Sequence, residues 1–239
     1  LLANFLHWLS GTLNNVFVGQ MLGVNAMAAV SSFFPVMFFF IAFMIGLGAG
    51  GSVLIGQAWG AHEAEKARAI AGTTLTVTVI FGAFIALLGG LFADALLRAL
   101  GTPPDILPEA TRYARIMLVA MPGLFVFLLA TSLLRGVGDT MTPMFTLLIS
   151  TGVGLLLTPA LIRGWIGLPP QGVASAAWGS VAAFIVALLW MSRHLRKKRS
   201  PLAPDADFVR HLRIDPVLLR GVLRVGVPTG VQMIVVAGA

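Results

Sequence analysis

AAVSSFFPVMFFFIAFMIGLGAGGSVLIGQA, residues 28–58, runs for 31 residues without an acid, a base or a histidine. A helix rises about 1.5 Å per residue and the hydrocarbon core of a bilayer is about 30 Å thick, so roughly 20 such residues cross a membrane. This run is longer than that and is expected to tilt or to extend past the membrane surface. Further apolar runs lie at 1–22, 69–93, 114–134, 142–162 and 172–192, and another begins after 222. The connections between them are short and polar or marked by Gly and Pro. Residues 94–113 carry scattered charges and a Gly-Thr-Pro-Pro break, and read as an interfacial helix plus loop. Composition points the same way: 58% of the chain is apolar, 10% is charged and the mean hydropathy is +0.94, against about 25% charged in a soluble domain. The fold class is all-α integral membrane, with six full helices and the start of a seventh. The chain opens at Leu1 inside one apolar stretch and closes at Ala239 inside another, so both ends read as cut.

The charges set an orientation. Of 16 Lys and Arg, nine fall between Arg193 and Arg224, in the loop joining the sixth and seventh spans. Alternating the loops puts Lys66, Arg68 and Arg135 on the same side and leaves Arg98, Arg112, Arg115 and Arg163 opposite. Twelve against four places the 193–224 loop in the cytoplasm of a multi-pass inner or plasma membrane protein. The run 193–199 reads either as this topology signal or as a site for anionic headgroups. The basic excess is not a nucleic-acid signature. With no cysteine, disulfides, thiolate metal sites and a Cys nucleophile are excluded.

Inside the spans the informative groups are neutral. All nine Asp and Glu lie outside them, whereas a proton relay or cation site in a membrane usually uses a buried carboxylate. The first span carries His7, Asn14 and Asn15, and Asn4, His7, Ser10 and Asn14 share one helical face. That stripe lines a water-filled cavity or bonds to neighbouring helices. His7 titrates near pH 6.5 when unperturbed, which suits a proton switch; a lone His is also commonly structural. In the second span, Met37, Phe38, Phe40 and Met44 belong to a Met- and Phe-rich patch that contacts apolar ligands or simply lipid and helices. Gly46/Gly50 and Gly56/Gly60 have the G-x-x-x-G spacing of close helix approach. Pro35, Pro122 and Pro159 lie within spans and mark candidate bends; the Thr158 hydroxyl is placed to take up a backbone group freed at Pro159. No G-x-S-x-G, no H-E-x-x-H and no paired intramembrane acids occur, so nothing is equipped for nucleophilic or metal-assisted hydrolysis, and the chain reads as no enzyme.

Several stretches together resemble the amino-terminal lobe of the multidrug and toxic compound extrusion (MATE) transporters. Asn14-Asn-Val-Phe-Val-Gly19-Gln-Met-Leu-Gly23, followed by Ala26-Met-Ala-Ala-Val30, is similar to the family's Asp-Thr-x-Phe-Val-Gly-x-x-Gly and Leu-Ala-Ala-Val. Leu134-Arg135-Gly-Val-Gly138-Asp139-Thr-Met-Thr-Pro143 matches its Arg-Gly-x-Gly-Asp-Thr-x-x-Pro loop, while Gly172–Ser180 and Val225–Pro228 open helices six and seven in the family's order. The resemblance implies twelve helices in two six-helix lobes with alternating access. It makes 1–192 the first lobe, 193–221 a cytoplasmic inter-lobe linker and 222–239 the start of helix seven. The implied activity is export of small organic, often cationic, compounds in exchange for H+ or Na+, with no cofactor, by a monomer in the lipid bilayer. Two departures matter. Asn14 stands where many members have an Asp, and Gly154-Leu-Leu-Leu-Thr158-Pro159 stands where they have Asn-x-x-x-Asp-Pro. An amide cannot titrate, so position 14 cannot carry a proton; with the Thr158 and Ser180 hydroxyls its carbonyl remains a candidate Na+ ligand. Coupling acids are then expected in a second lobe, with His7 as an outside substitute. A lipid-linked saccharide flippase of the same superfamily is the competing reading, but such proteins tend to line their cavity with Arg and Lys, and the six full spans hold neither beyond Arg115 at the very edge of 114–134. A seven-helix receptor is the other class, which would require the chain to end soon after the seventh span.

Overall fold

The computed structural model describes residues 19–164, 172–198, 200–205, 208 and 210–238. The described helices are α1 (Val24–Gly60), α2 (Ala64–Ala99), α3 (Leu107–Gly136), α4 (Met141–Arg163), α5 (Val173–Lys197) and α6 (Pro216–Gly238). Five of them, α1 to α5, are long and apolar enough to cross a membrane. They correspond to the second through sixth apolar runs, and α6 to the seventh. Of the first run, 19–22 is helical and is set off from α1 by Gly23 at φ +87°; the remainder lies outside the described residues.

The helices outrun the apolar segments that announce them. At about 1.5 Å per residue, the 36 residues of α2 reach about 54 Å, so its charged ends stand clear of the hydrocarbon. This corrects the reading of 94–113. No separate interfacial helix is present there: 94–99 completes α2, held by Arg98 donating to Asp94 at 2.7 Å, and α3 is already under way at Leu107. The residues between them form the loop.

Three helix ends are built alike. Past α1, the His62 N–H donates to Trp59 O (3.0 Å) and the Glu63 N–H to Ala58 O (2.9 Å). Past α2, Gly101 donates to Arg98 O and Thr102 to Leu97 O; past α3, Gly138 donates to Arg135 O and Asp139 to Leu134 O. This paired 5→2 and 6→1 pattern satisfies carbonyls a helix end would orphan, and needs a left-handed residue at its centre. Gly101 (φ +77°) and Gly138 (φ +82°) take that conformation easily, whereas His62 (φ +62°) is the positive-φ residue other than glycine among those described.

The described residues form two compact units. One draws on the described residues within Leu1–Met37, Ala83–Met121 and Thr146–Ala187; the other on those within Phe38–Gly82, Pro122–Phe145 and Leu188–Ala239. In the first, the core is rich in alanine, with Phe33 meeting Tyr113 edge-on at 6.1 Å, and Gly89 admits the Leu118 side chain. In the second, glycines bring backbones together. A Cβ on Gly46 would lie 2.5 Å from Gly226 O, one on Gly136 2.5 Å from Ser52 O, and one on Gly50 would overlap Val222 O. Small residues make such crossings possible in lipid, where burial of apolar surface gives helices no reason to associate.

Polarity is distributed as a bilayer requires. Thr73, Thr74, Thr78, Thr131, Thr146 and Thr158 are buried, while Ile80, Phe84, Leu87, Leu91 and Phe92 form an exposed apolar stripe along α2. In water that stripe would be a sticky patch; against acyl chains it is the expected surface. The protein is a multi-pass membrane protein.

Candidate functional site

The loop carrying Arg135, Gly138, Asp139 and Pro143 resolves into structural roles. Gly138 sits at the centre of the α3 cap, and Gly136 lets α3 touch the α1 backbone at Ser52. Asp139 then caps α4: its Oδ1 accepts the Thr142 N–H at 3.0 Å and its Oδ2 the Thr142 hydroxyl at 2.7 Å. This is an N-cap bond from residue i to i+3. Pro143 falls in the first turn of α4, where no intrahelical N–H is required. Lys198, just past α5, reaches Asp139 Oδ2 at 3.1 Å. Burial pushes the Asp139 carboxyl up, but the two Thr142 bonds and Lys198 outweigh it and hold the group below its ordinary value. Arg135 spends its Nε on Thr131 O of its own helix.

The Met- and Phe-rich patch of α1 divides. Met44 is buried and Phe40 half-buried. Phe40 belongs to an aromatic cluster with Phe43, Phe81 and Phe125, joining α1, α2 and α3. Phe43 lies 4.9 Å from Phe81, Phe81 stacks on Phe125 at 5.9 Å, and Phe40 lies 6.3 Å from Phe81 and 6.2 Å from Phe125. Phe38 is half-buried in the same unit, and Met37 closes the segment assigned to the other. Three residues before Phe81, the buried Thr78 hydroxyl has no hydrogen-bond partner, a polar group in an otherwise apolar setting.

Thr158 and Ser180 share one unit, on α4 and α5. Thr158 is buried, and its Oγ1 would lie 2.6 Å from a Cβ on Gly179, so the helices cross where Gly179 makes room for the hydroxyl. Ser180 donates to Ala176 O at 3.1 Å, a bond within α5. Both hydroxyl oxygens suit a hard cation better than a soft one. Pro159 lies inside α4. His7, Asn14 and Asn15 lie outside the described residues. Gly19 is near Met27 Sδ, and Gly23 takes the positive φ of a break before α1.

Sequence reasoning missed Phe81, Phe125, Thr78 and Gly179. Gly179 had a signal, the run of small residues 172–180; the other three had none, because nothing in an apolar run says which neighbour a side chain meets. Among the described residues, no group of three or more His, Asp or Glu is placed to hold a metal ion.

Long apolar helices with buried hydroxyls and an aromatic cluster between them define a polytopic membrane fold. The MatE family model matches residues 1–160, and the chain belongs to that family. It is 43% identical to the probable multidrug resistance protein YoeA of Bacillus subtilis, over 99% of this chain and 51% of that protein. It is 31% identical to an FAD transporter of Shewanella oneidensis, over 74% of this chain and 39% of the relative. The structure superimposes on an outward-facing multidrug resistance MATE transporter of the MOP superfamily with a TM-score of 0.86 and 27% identity, over 98% of this chain and 50% of that one. The chain thus spans about half the length of the relatives it matches.

Proposed function

We propose that this chain is the first lobe of a secondary transporter that exports small organic compounds, cations among them, in exchange for H+ or Na+. Residues 1–192 form the lobe, 193–221 the cytoplasmic linker and 222–239 the start of the second lobe's first helix. The observation that carries the reading is the 43% identity to a probable multidrug resistance protein along nearly the whole chain. Antiport requires each ligand to favour a different conformation, since a ligand with equal affinity for both shifts nothing.

The described part of the lobe supplies hydroxyls and aromatic rings. Phe40 and its neighbours offer faces to an organic cation, and Thr158 and Ser180 offer oxygens to Na+. Asn14 and Thr158 cannot titrate, so proton coupling falls to acids outside this chain or to His7. The buried core holds Thr and Ser but neither Lys nor Arg among the described residues, which favours organic compounds over the pyrophosphate of a lipid-linked saccharide.

The test is efflux of a fluorescent organic cation from liposomes containing the full-length two-lobe protein, under an imposed pH or Na+ gradient. Movement driven by one gradient supports antiport and identifies the ion. Movement indifferent to both, or its absence in folded protein, overturns the proposal. Under H+ coupling His7→Gln shifts the pH profile only if His7 carries the proton; under Na+ coupling Thr158→Val raises the Na+ concentration needed for half-maximal efflux.

A further inference from the structure

Away from these residues, the second unit contains a cleft of about 310 Å³. Its walls are Leu75 of α2, Ala130 and Leu133 of α3 and Leu189 and Leu195 of α5, with Phe208 of the α5–α6 connection. The wall carries one side-chain hydroxyl, Ser192, which donates to Leu189 O at 2.9 Å. No polar demand is left for water, so the space favours an apolar occupant.

The roof is tied down by two arginines. Arg68 Nε donates to Pro201 O at 3.2 Å, and Arg196 Nε donates to Pro204 O at 2.9 Å. Pro204 lines the cleft, so the Arg196 guanidinium stands at its rim. Among the described residues no carboxylate pairs with Arg196, and its two terminal nitrogens remain for a ligand. Asp205, the acid among the described residues of the roof, accepts the Phe208 N–H at 2.8 Å. Lys198 is engaged by Asp139, while Arg193 and Lys197 add positive charge to the same end of α5. One turn away Trp190 stacks on His194, with centroids 4.9 Å apart; tryptophan favours the headgroup level. The cleft therefore runs from the cationic end of α5 at Arg196 to Leu189, which is exposed on the α5 surface beside Trp190.

We propose that this cleft binds one anionic phospholipid, an acyl chain lying between α2, α3 and α5 and the phosphate resting on Arg196. An apolar slot alone would take any chain. The cationic rim, in a leaflet that carries anionic lipid, selects among headgroups.

The test is native mass spectrometry of the protein released from micelles containing equal amounts of phosphatidylglycerol and phosphatidylcholine. The expected result is one retained lipid, predominantly phosphatidylglycerol. Arg196→Gln lowers that preference about fivefold, the effect of one basic residue near a membrane surface. Ala130→Trp, which fills the slot, abolishes retention of both lipids. If that variant does not fold, Leu189→Gln at the exposed mouth carries the same expectation. Inorganic phosphate at millimolar concentration leaves the bound lipid in place. Equal retention of the two lipids, an unchanged preference in Arg196→Gln, or phosphatidylglycerol bound as before in the slot variants overturns the proposal. So does displacement by phosphate, or a dimer mass abolished by Ala130→Trp, which would make a second chain the occupant.

Discussion

Replacing Gly46 by alanine tests whether the α1–α6 contact rests on backbone approach. The new Cβ would lie 2.5 Å from Gly226 O, 2.8 Å from Gly230 N and 2.9 Å from Gly230 Cα, where ordinary contact begins at 3.4 Å. All three atoms are backbone, so no side chain can swing away and the helices must part by nearly 1 Å. A radial gap of that size forfeits about a quarter to a half of each dispersion contact along the seam, and overpacking of this kind costs about 1–3 kcal/mol. For a chain of this size that lowers Tm by about 2–12 °C. Gly152 is the control, since a Cβ there meets nothing within 4 Å. Gly152→Ala removes the conformational freedom of a helical glycine and should leave Tm unchanged or raise it, a gain of about 0.5–1 kcal/mol. A Cβ on Gly226 would lie 2.7 Å from Gly46 O, so Gly46→Ala and Gly226→Ala disturb one contact and their effects should not add. Thermal unfolding of wild type, the three single variants and the Gly46→Ala/Gly226→Ala double variant in one detergent decides the matter. Gly46→Ala as stable as Gly152→Ala, or strict additivity with Gly226→Ala, refutes the reasoning.

Three further outcomes follow from particular side chains. Asp139→Ala should cost about 1 kcal/mol through the lost α4 cap, with at most a few tenths more from the half-exposed Lys198 pair. Because the folded carboxyl sits below its ordinary value, that stability is fully present above a pH of about 4 and lost as pH falls through the folded value. The Tm gap between wild type and variant should therefore close in acid. His62→Gly should raise stability by up to about 1 kcal/mol, since the left-handed conformation costs other residues roughly 1–2 kcal/mol and glycine's freedom in the unfolded chain returns part of the gain; His62→Val should lower it, as chemical denaturation would show. Thr78→Val removes a buried hydroxyl without a partner and should stabilise by about 1 kcal/mol. Equal or higher stability with transport lost would assign that hydroxyl to the transported ligand.

The sequence announced each described span because an unbroken apolar run has few alternatives to a membrane helix. It placed the ends poorly because hydropathy sees only the part in hydrocarbon. Glu65, Lys66, Asp94 and Arg98 are charged, yet all lie on α2, whose helix continues into water supported by pairs such as Arg98–Asp94. The loop at 135–143 was legible as a turn, and its physical content is two caps sharing adjacent residues, Gly138 ending one helix and Asp139 starting the next. Thr158 and Ser180 were named from the sequence, but that Gly179 of α5 makes room for the Thr158 hydroxyl depends on how two helices rotate, which the small residues 172–180 leave open. The aromatic cluster was half legible: Phe40 stood out, while Phe81 and Phe125 come from distant runs that are apolar on every face.

The three caps at His62, Gly101 and Gly138 also fix an order of assembly. Each closes with hydrogen bonds spanning five residues or fewer, so the turns between α1 and α2, α2 and α3, and α3 and α4 form on the timescale of local helix closure. The connection between α5 and α6 depends instead on partners far back in the chain: Arg68 with Pro201, 133 residues apart, and Thr73 with Arg213, 140 residues apart. Such contacts carry the full entropy of loop closure. The successive helical hairpins therefore settle first, and the long-range contacts, the strap that ties α2 to the segment before α6 and the α1–α6 seam at Gly46 and Gly226 among them, lock later.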